Sequence, residues 1–196
     1  MKKWLLPLLL IAAIAFWAFN KGQNFYNETI GLEENAKGQW SKVESSYQRR
    51  SDLIPNIVAT VKGYAKHEKE TLEAVIKARA EATKTTINAG DLTPEKIAAF
   101  QKAQSGMMGA LSKLMVSVER YPELKADKGF LELQSQLEGT ENRINVERNR
   151  FNDVVGVYRK HIREFPNNFF AKWFGFKQMG YFKADAGSEN APKVNF

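Results

Sequence analysis

The chain has 196 residues and not one cysteine. Disulfides, thiolate metal centres and cysteine nucleophiles are excluded together, and the redox compartment stays open. Histidine is almost as scarce, with only His67 and His161. The run HEKET from His67 begins like the zinc signature H-E-x-x-H, but Thr71 stands where the second ligand should be, one turn on. His161 lies beside an apolar stripe, where a packing or capping role is the ordinary one. A phosphate-binding loop, a G-x-S-x-G elbow and a G-x-G-x-x-G fingerprint are missing too. Acid–base chemistry by a carboxylate pair is the one catalytic route left, because any helical bundle offers such pairs. The expectation is a non-enzymatic protein with no cofactor and no metal.

Charge is what the chain has unevenly. The formal net charge is +7, and the stretch 143–183 alone carries nine Lys and Arg against three acids, or +6. Such an excess suits nucleic acid or an anionic membrane surface equally. The first residues, MKKWLLPLLLIAAIAFWAFNK, favour the membrane. Trp4 to Phe19 is an uncharged run of sixteen residues. As a helix it reaches about 24 Å, somewhat short of the ~30 Å hydrocarbon core. Snorkelling lysines and interfacial Trp4 and Trp17 close that gap. A cleaved signal peptide fits poorly: the only A-x-A of this stretch, Ala13-Ile14-Ala15, would leave Phe16-Trp17 as a new start, and Phe16 blocks a cut after Ala18. Residues 1–20 are therefore expected to be an uncleaved transmembrane anchor that meets membrane lipid through residues 4–19. Lys2 and Lys3 precede it, whereas Glu28, Glu33 and Glu34 follow with only Lys21. The positive-inside rule then keeps the N-terminus cytoplasmic, in an inner or plasma membrane, with the rest on the extracytoplasmic side. A nucleic-acid partner is not expected there.

Strand-like alternation is also absent, and between sparse turn signals the apolar residues recur every three and four positions. Thr93 and Pro94 make an N-cap and first helical residue for a stripe of Ile97, Phe100, Gln104, Met107, Leu111, Leu114, Val118 and Tyr121. Phe130, Leu137, Ile144, Phe151, Tyr158 and Phe165 recur at sevens until Pro166. Earlier, Trp40, Val43, Tyr47, Arg50, Ile54, Ile57, Val61 and Tyr64 form a third stripe, whose phase shifts after Gly63. Gly63 is the expected hinge or turn. The pattern implies an all-α antiparallel up-and-down bundle over 21–165, with helices near 26–62, 66–87, 94–121 and 124–165. Three helices, with 26–87 continuous, are the alternative. The small-residue patch QSGMMGA (104–110) reads as a close helix contact.

Two stripes contain charges that do not belong on an apolar face. Arg50 interrupts the first, and Thr140, Glu141, Glu147 and Arg148 flank Ile144 in the last. Opposite signs at mid-stripe predict one buried layer, with Arg50 held by Glu141 or Glu147. The competing geometry sends Arg50 to the bundle edge. Nearby Pro55 removes the hydrogen bond to the Ser51 carbonyl, so either the helix kinks there or it breaks and restarts with Asp52 as N-cap. After Pro166, residues 166–183 interleave aromatics with lysines. Either they fold back on the bundle, or Trp173, Phe174 and Phe176 with Lys172 and Lys177 form a membrane-interface patch. Residues 184–196 read as an irregular tail.

The segments SYQRRSDLIPNIVATVKGYAKHEKETLEAVIKAR (46–79), ERYPELKAD (119–127), TENRINVERNRFNDVV (140–155) and FPNNFFAKWFGF (165–176) closely resemble the hallmark blocks of the LemA family, as does the closing YFKADAGSENAPKVNF. Phe151 stands where many relatives carry Tyr. The resemblance implies a membrane-anchored bacterial or archaeal helical bundle, without established activity or cofactor. Envelope protein partners are implied, with no agreed site residues. A scaffold, adaptor or sensor is the expected role, with a lipid-binding module acting through the aromatic segment as the alternative.

Overall fold

Among the described residues, apolar spacing at threes and fours produces helices and no strand. The computed structural model describes residues 5–65 and 67–184. Its elements are α1 (Leu5–Tyr64), α2 (Lys69–Lys84), α3 (Pro94–Val118), the single turn α4 (Pro122–Lys125), α5 (Lys128–Arg163) and α6 (Asn167–Phe174). The fold is an all-α bundle: α1 lies along α5 on one side and α2 on the other, and α2 carries α3. A continuous helix over 26–87 is excluded, because the chain leaves helix at Ala65 and re-enters it at Lys69.

Several boundaries differ from the sequence reading, each for a local reason. No break separates residues 5–20 from the bundle; α1 runs for 60 residues from the apolar stretch into the core. Lys21, Gly22 and Gln23 contain no helix stop, and the buried stripe already begins at Phe25. Gly63 is not the hinge. Its helix continues to Tyr64, and the reversal is closed by the Ala65 amide on the Val61 carbonyl (2.8 Å) and the Glu68 amide on the Ala65 carbonyl (3.1 Å). Gly63 itself has no left-handed conformation, and Gly175 is the only described glycine with positive φ. α5 starts at Lys128 because Asp127 caps it, accepting from the Phe130 amide at 2.8 Å. Within the patch at 104–110 the glycines make no close helix contact, since added Cβ atoms on Gly106 and Gly109 would meet nothing within 4 Å, while Gln104 and Met107 face the core.

Among the described residues no helix is long and apolar enough to cross a membrane. Trp4 and the residues before it lie outside the described part. Within it, Leu8, Leu9, Leu10, Ile11, Ile14, Phe16, Trp17 and Phe19 are all exposed.

The core is two clusters. One, toward the N-terminal end of α1, is aromatic: Phe25, Trp40 and Tyr47 meet Phe100, Phe151 and Tyr158. The other is mainly aliphatic: Leu53, Ile54, Ile57 and Val61 meet Leu72, Val75, Met107, Leu111, Leu114 and Leu137. A strap over 176–184, which has no helix, completes the aromatic half. Phe182 stacks on Trp40 at 6.0 Å between ring centres and meets Phe151 edge-on at 5.6 Å. Gly180 lets the strap touch the start of α3, because a Cβ there would lie 2.8 Å from the Pro94 Cα. Residues 166–183 thus divide into α6 and this strap, which folds back on the bundle.

Candidate functional site

On all three stripes the two clusters meet at the same level, and polar residues fill that level. Arg50 of α1 is 3% exposed. Its Nη1 donates to both carboxylate oxygens of Glu141 on α5, at 3.0 and 3.2 Å. Its Nη2 donates to the Gln104 side-chain oxygen on α3 at 2.6 Å. The guanidinium also sits 4.9 Å from the Tyr47 ring centre. Arg50 therefore links α1 to both α5 and α3. Its Nε, by contrast, meets no hydrogen-bond partner.

Glu147 does not join this layer. It is fully buried one helical turn and more along α5, where Gln39 of α1 donates to its Oε2 at 2.7 Å. Arg143 and Arg150 flank its Oε1 at 2.8 and 3.3 Å. Burial pushes the Glu147 carboxyl up, but the Gln39 amide and the charges of Arg143, Arg150 and Lys42 outweigh it and hold it below its ordinary 4.5. The sequence reading placed both glutamates as possible partners of Arg50; Glu141 takes the arginine and Glu147 has its own set.

Pro55 lies inside a continuous α1, so Asp52 does not start a new helix. Instead, Gln48 donates to Asp52 across one turn at 2.8 Å. The Ser51 carbonyl, deprived of its donor by Pro55, accepts from Arg79 Nε of α2 at 2.9 Å. Arg79 carries a charge on α2 in the sequence. Its purpose is visible only when the orphaned carbonyl faces it.

Above Arg50, between α3 and α5, lies an open groove of about 750 Å³. Among the described residues, Arg50, Lys102, Arg148, Lys183 and the acid Glu141 line it. The strap enters its N-terminal-α1 side and is held through its backbone. Asn152 exchanges two hydrogen bonds of 2.9 Å with Phe182. Gln101 exchanges two with Lys183, at 2.8 and 3.1 Å. Arg148 adds a third to the Lys183 carbonyl at 2.8 Å. Nothing in the apolar periodicity foretold this groove; the polar Gln101, Asn145 and Asn152 beside the stripes were the available signal.

The sequence-predicted interface residues separate by environment. Phe174 packs against Tyr26 of α1 at 5.2 Å, and Phe176 is half-buried against Phe25 and Tyr26. Trp173 is 83% exposed, and Lys172, Lys177 and Trp17 are exposed as well. The reading missed Phe165 and Phe169, which with Trp173 stand at successive four-residue steps and are all exposed. One face of α6 thus covers α1 at Gly22–Tyr26, where Phe170 lies 3.4 Å from the position of a Gly22 Cβ, and the other presents aromatics to solvent. His161 fills the junction: it stacks on Phe25 at 5.1 Å and meets Thr29 Oγ1 through Nε2 at 3.1 Å.

A model of the LemA family matches residues 39–196, which include the Arg50 layer, the groove and the strap. The chain belongs to the LemA family. This LemA-family chain is 26% identical over 178 residues to the magnetosome protein MamQ of Magnetospirillum gryphiswaldense, covering 80% of this chain and 64% of that protein. It is 25% identical over 177 residues to the magnetosome protein MamQ 2 of Paramagnetospirillum magneticum, covering 81% and 64%. To the protein LemA of Metamycoplasma hominis it is 23% identical over 159 residues, covering 81% and 68%. The chain thus spans just under two thirds of the length of its magnetosome relatives.

Proposed function

We propose that this LemA-family chain is a membrane-tethered, non-enzymatic scaffold or adaptor at the cell envelope, with the bundle on the extracytoplasmic side. The observation that carries the reading is the continuity of α1. Its first turns expose apolar side chains and its remainder is the central element of the core, so a tether and a folded body share one rigid rod. An exposed row of large apolar residues in water is costly and marks a surface meant for burial. With Trp4 added, that row has the length of the short span argued from sequence. The relatives are named for a cellular structure, the magnetosome, rather than for a reaction, which supports a non-enzymatic role. The test is extraction of cell membranes expressing the full chain. The chain is expected to resist alkaline carbonate and yield to detergent, and its bundle to be cleaved by protease added from the extracytoplasmic side. Release by carbonate overturns the tether; protection of the bundle in intact spheroplasts overturns the topology.

A second reading rests on α6. Phe165, Phe169 and Trp173 are exposed beside the stretch where α1 leaves its apolar turns, with Lys172 near them. Aromatics at headgroup level with lysines facing anionic lipid would let the bundle lean on the bilayer. Flotation of the chain lacking residues 1–20 with vesicles tests this contact. Preference for anionic vesicles, lost in Phe169→Ala with Trp173→Ala, supports it; equal flotation of both proteins contradicts it.

A further inference from the structure

A second cleft, of about 690 Å³, runs along the seam between α1 and α5 and shares no residue with the strap's groove. Steps of three and four place Lys42, Ser46 and Arg49 on one face of α1, and Gln136, Thr140 and Arg143 on the side of α5 that meets it. Small residues make the room. Ser41 and Ser45 of α1 line the cleft with Gly139 of α5, where an added Cβ would meet nothing within 4 Å. The size falls within the ~300–1,000 Å³ of small-ligand sites. Its walls carry two kinds of group. Three hydroxyls give their protons to their own helices: Ser41 to the Lys37 carbonyl at 3.2 Å, Ser46 to Lys42 at 2.9 Å and Thr140 to Gln136 at 2.7 Å. What they have left for a ligand is lone pairs, which accept from O–H or N–H donors. Lys42, Arg49 and Arg143 supply donors and positive charge. Arg143 is anchored through Nε on the buried Glu147 at 2.8 Å, and even with that whole carboxylate set against them the three cations leave +2.

We propose that this cleft binds a phosphorylated polyol or sugar polymer, with phosphates on Lys42, Arg49 and Arg143 and hydroxyls on Ser41, Ser46 and Thr140. A bare anion would use only the cations, and a neutral sugar only the acceptors. A chain in which phosphates alternate with hydroxyls uses both. An arginine fork takes two phosphate oxygens at once, and lysine adds a point charge. Lys42 and Arg49 stand about 10 Å apart along α1, so they address two points on a chain rather than one phosphate. Lipid headgroups carry the same chemistry, and height above the bilayer separates the two sources. From Lys21 to Ser41 α1 climbs about 30 Å, several times the ~8 Å Debye length at physiological salt. Headgroups of the membrane that holds α1 are out of reach, so the occupant is a polymer of the envelope. That last choice rests on the tether reading; the binding chemistry does not.

The experiment titrates the full chain, held in nanodiscs of zwitterionic lipid, against a fluorescent glycerol phosphate hexamer and reads anisotropy. Using the full chain keeps residues 185–196 in competition for the cleft. Saturable binding is expected, weakening as salt rises. Lys42→Gln combined with Arg49→Gln should reduce the affinity by about tenfold or more. Both positions are exposed, so an unchanged thermal transition will show that the fold survives. Linear polyphosphate of equal charge has no alternating hydroxyls and should compete about tenfold less well than unlabelled hexamer. Nanodiscs of phosphatidylglycerol should leave the hexamer affinity unchanged. Absence of saturable binding, indifference to the double variant, or equal competition by polyphosphate overturns the proposal. Loss of hexamer binding in the anionic discs overturns the polymer as occupant and gives the cleft to headgroups. Membrane extraction reads the tether alone, so failure there and failure here are separate results.

Discussion

The two halves of the core are built differently. Beyond Arg50, the distal half is a set of aliphatic side chains from helices that follow one another with short connections. Its end is tied by Tyr64 to Asp127 at 3.0 Å, and by Arg120 and Tyr121 to Glu68 at 2.6 and 3.0 Å. The membrane-side half in the proposed orientation is aromatic, and it is complete only when the strap, over thirty residues past Phe151, inserts Phe182. One half is closed by helix contacts, the other by a segment that reaches it last. The comparison teaches that Arg50, Gln104 and Glu141 form a partition with different packing problems on each side.

The largest break in that comparison is expected from Phe182→Ala. It leaves a cavity among Trp40, Phe100 and Phe151, and large-to-small changes of this kind cost about 3–5 kcal/mol. A milder truncation in the distal half, Ile57→Val, should cost about 0.5–1.5 kcal/mol in the same urea titration.

Next in size is the partition itself. Arg50→Met strands Glu141 and the buried side-chain oxygen of Gln104, and breaking a buried pair typically costs about 3–5 kcal/mol, reduced here because Glu141 is partly exposed. In double-mutant cycles, Glu141→Leu should couple to Arg50→Met by about 1–2 kcal/mol and Glu147→Leu by less than about 0.5. Equal coupling to both glutamates would merge what are here two separate charge sets.

Much of this was legible in the sequence. The four long helices, the Thr93 cap and the misfit of Arg50 on its stripe follow from periodicity and capping chemistry, which are local. The choice between Glu141 and Glu147 was not legible, because they lie six residues apart on one helix and only the register of α1 against α5 separates them. The strap was illegible for another reason: its bonds run from backbone to side-chain amides of α3 and α5, and no periodicity encodes them. Phe165 and Phe169 could have been found from their four-residue spacing to Trp173.

A smaller effect concerns Pro55. Arg79→Met removes the donor to the Ser51 carbonyl and should cost about 1–2 kcal/mol. In a Pro55→Ala background the backbone amide gained at that position can supply the intrahelical bond, so the same Arg79→Met change should cost visibly less by chemical denaturation. Equal cost in both backgrounds would mean that Arg79 acts by packing alone.

The smallest effect is set by pH. The Glu147 carboxyl is held below its ordinary 4.5 in the fold, so its ionised form contributes stability that is present above that value and is lost as pH falls through the lower, folded one. Urea midpoints measured from pH 7 to pH 3 should therefore decline more gently in Glu147→Gln than in the parent chain. A parallel decline would assign the acid sensitivity to other carboxylates.

Hydrogen exchange followed by mass spectrometry on the full-length Phe182→Ala variant tests the partition most directly. The account predicts that protection falls over 25–47, 94–104 and 144–162, while 53–64, 107–118 and 128–137 keep the protection of the parent chain. Uniform loss on both sides of Arg50 would contradict it.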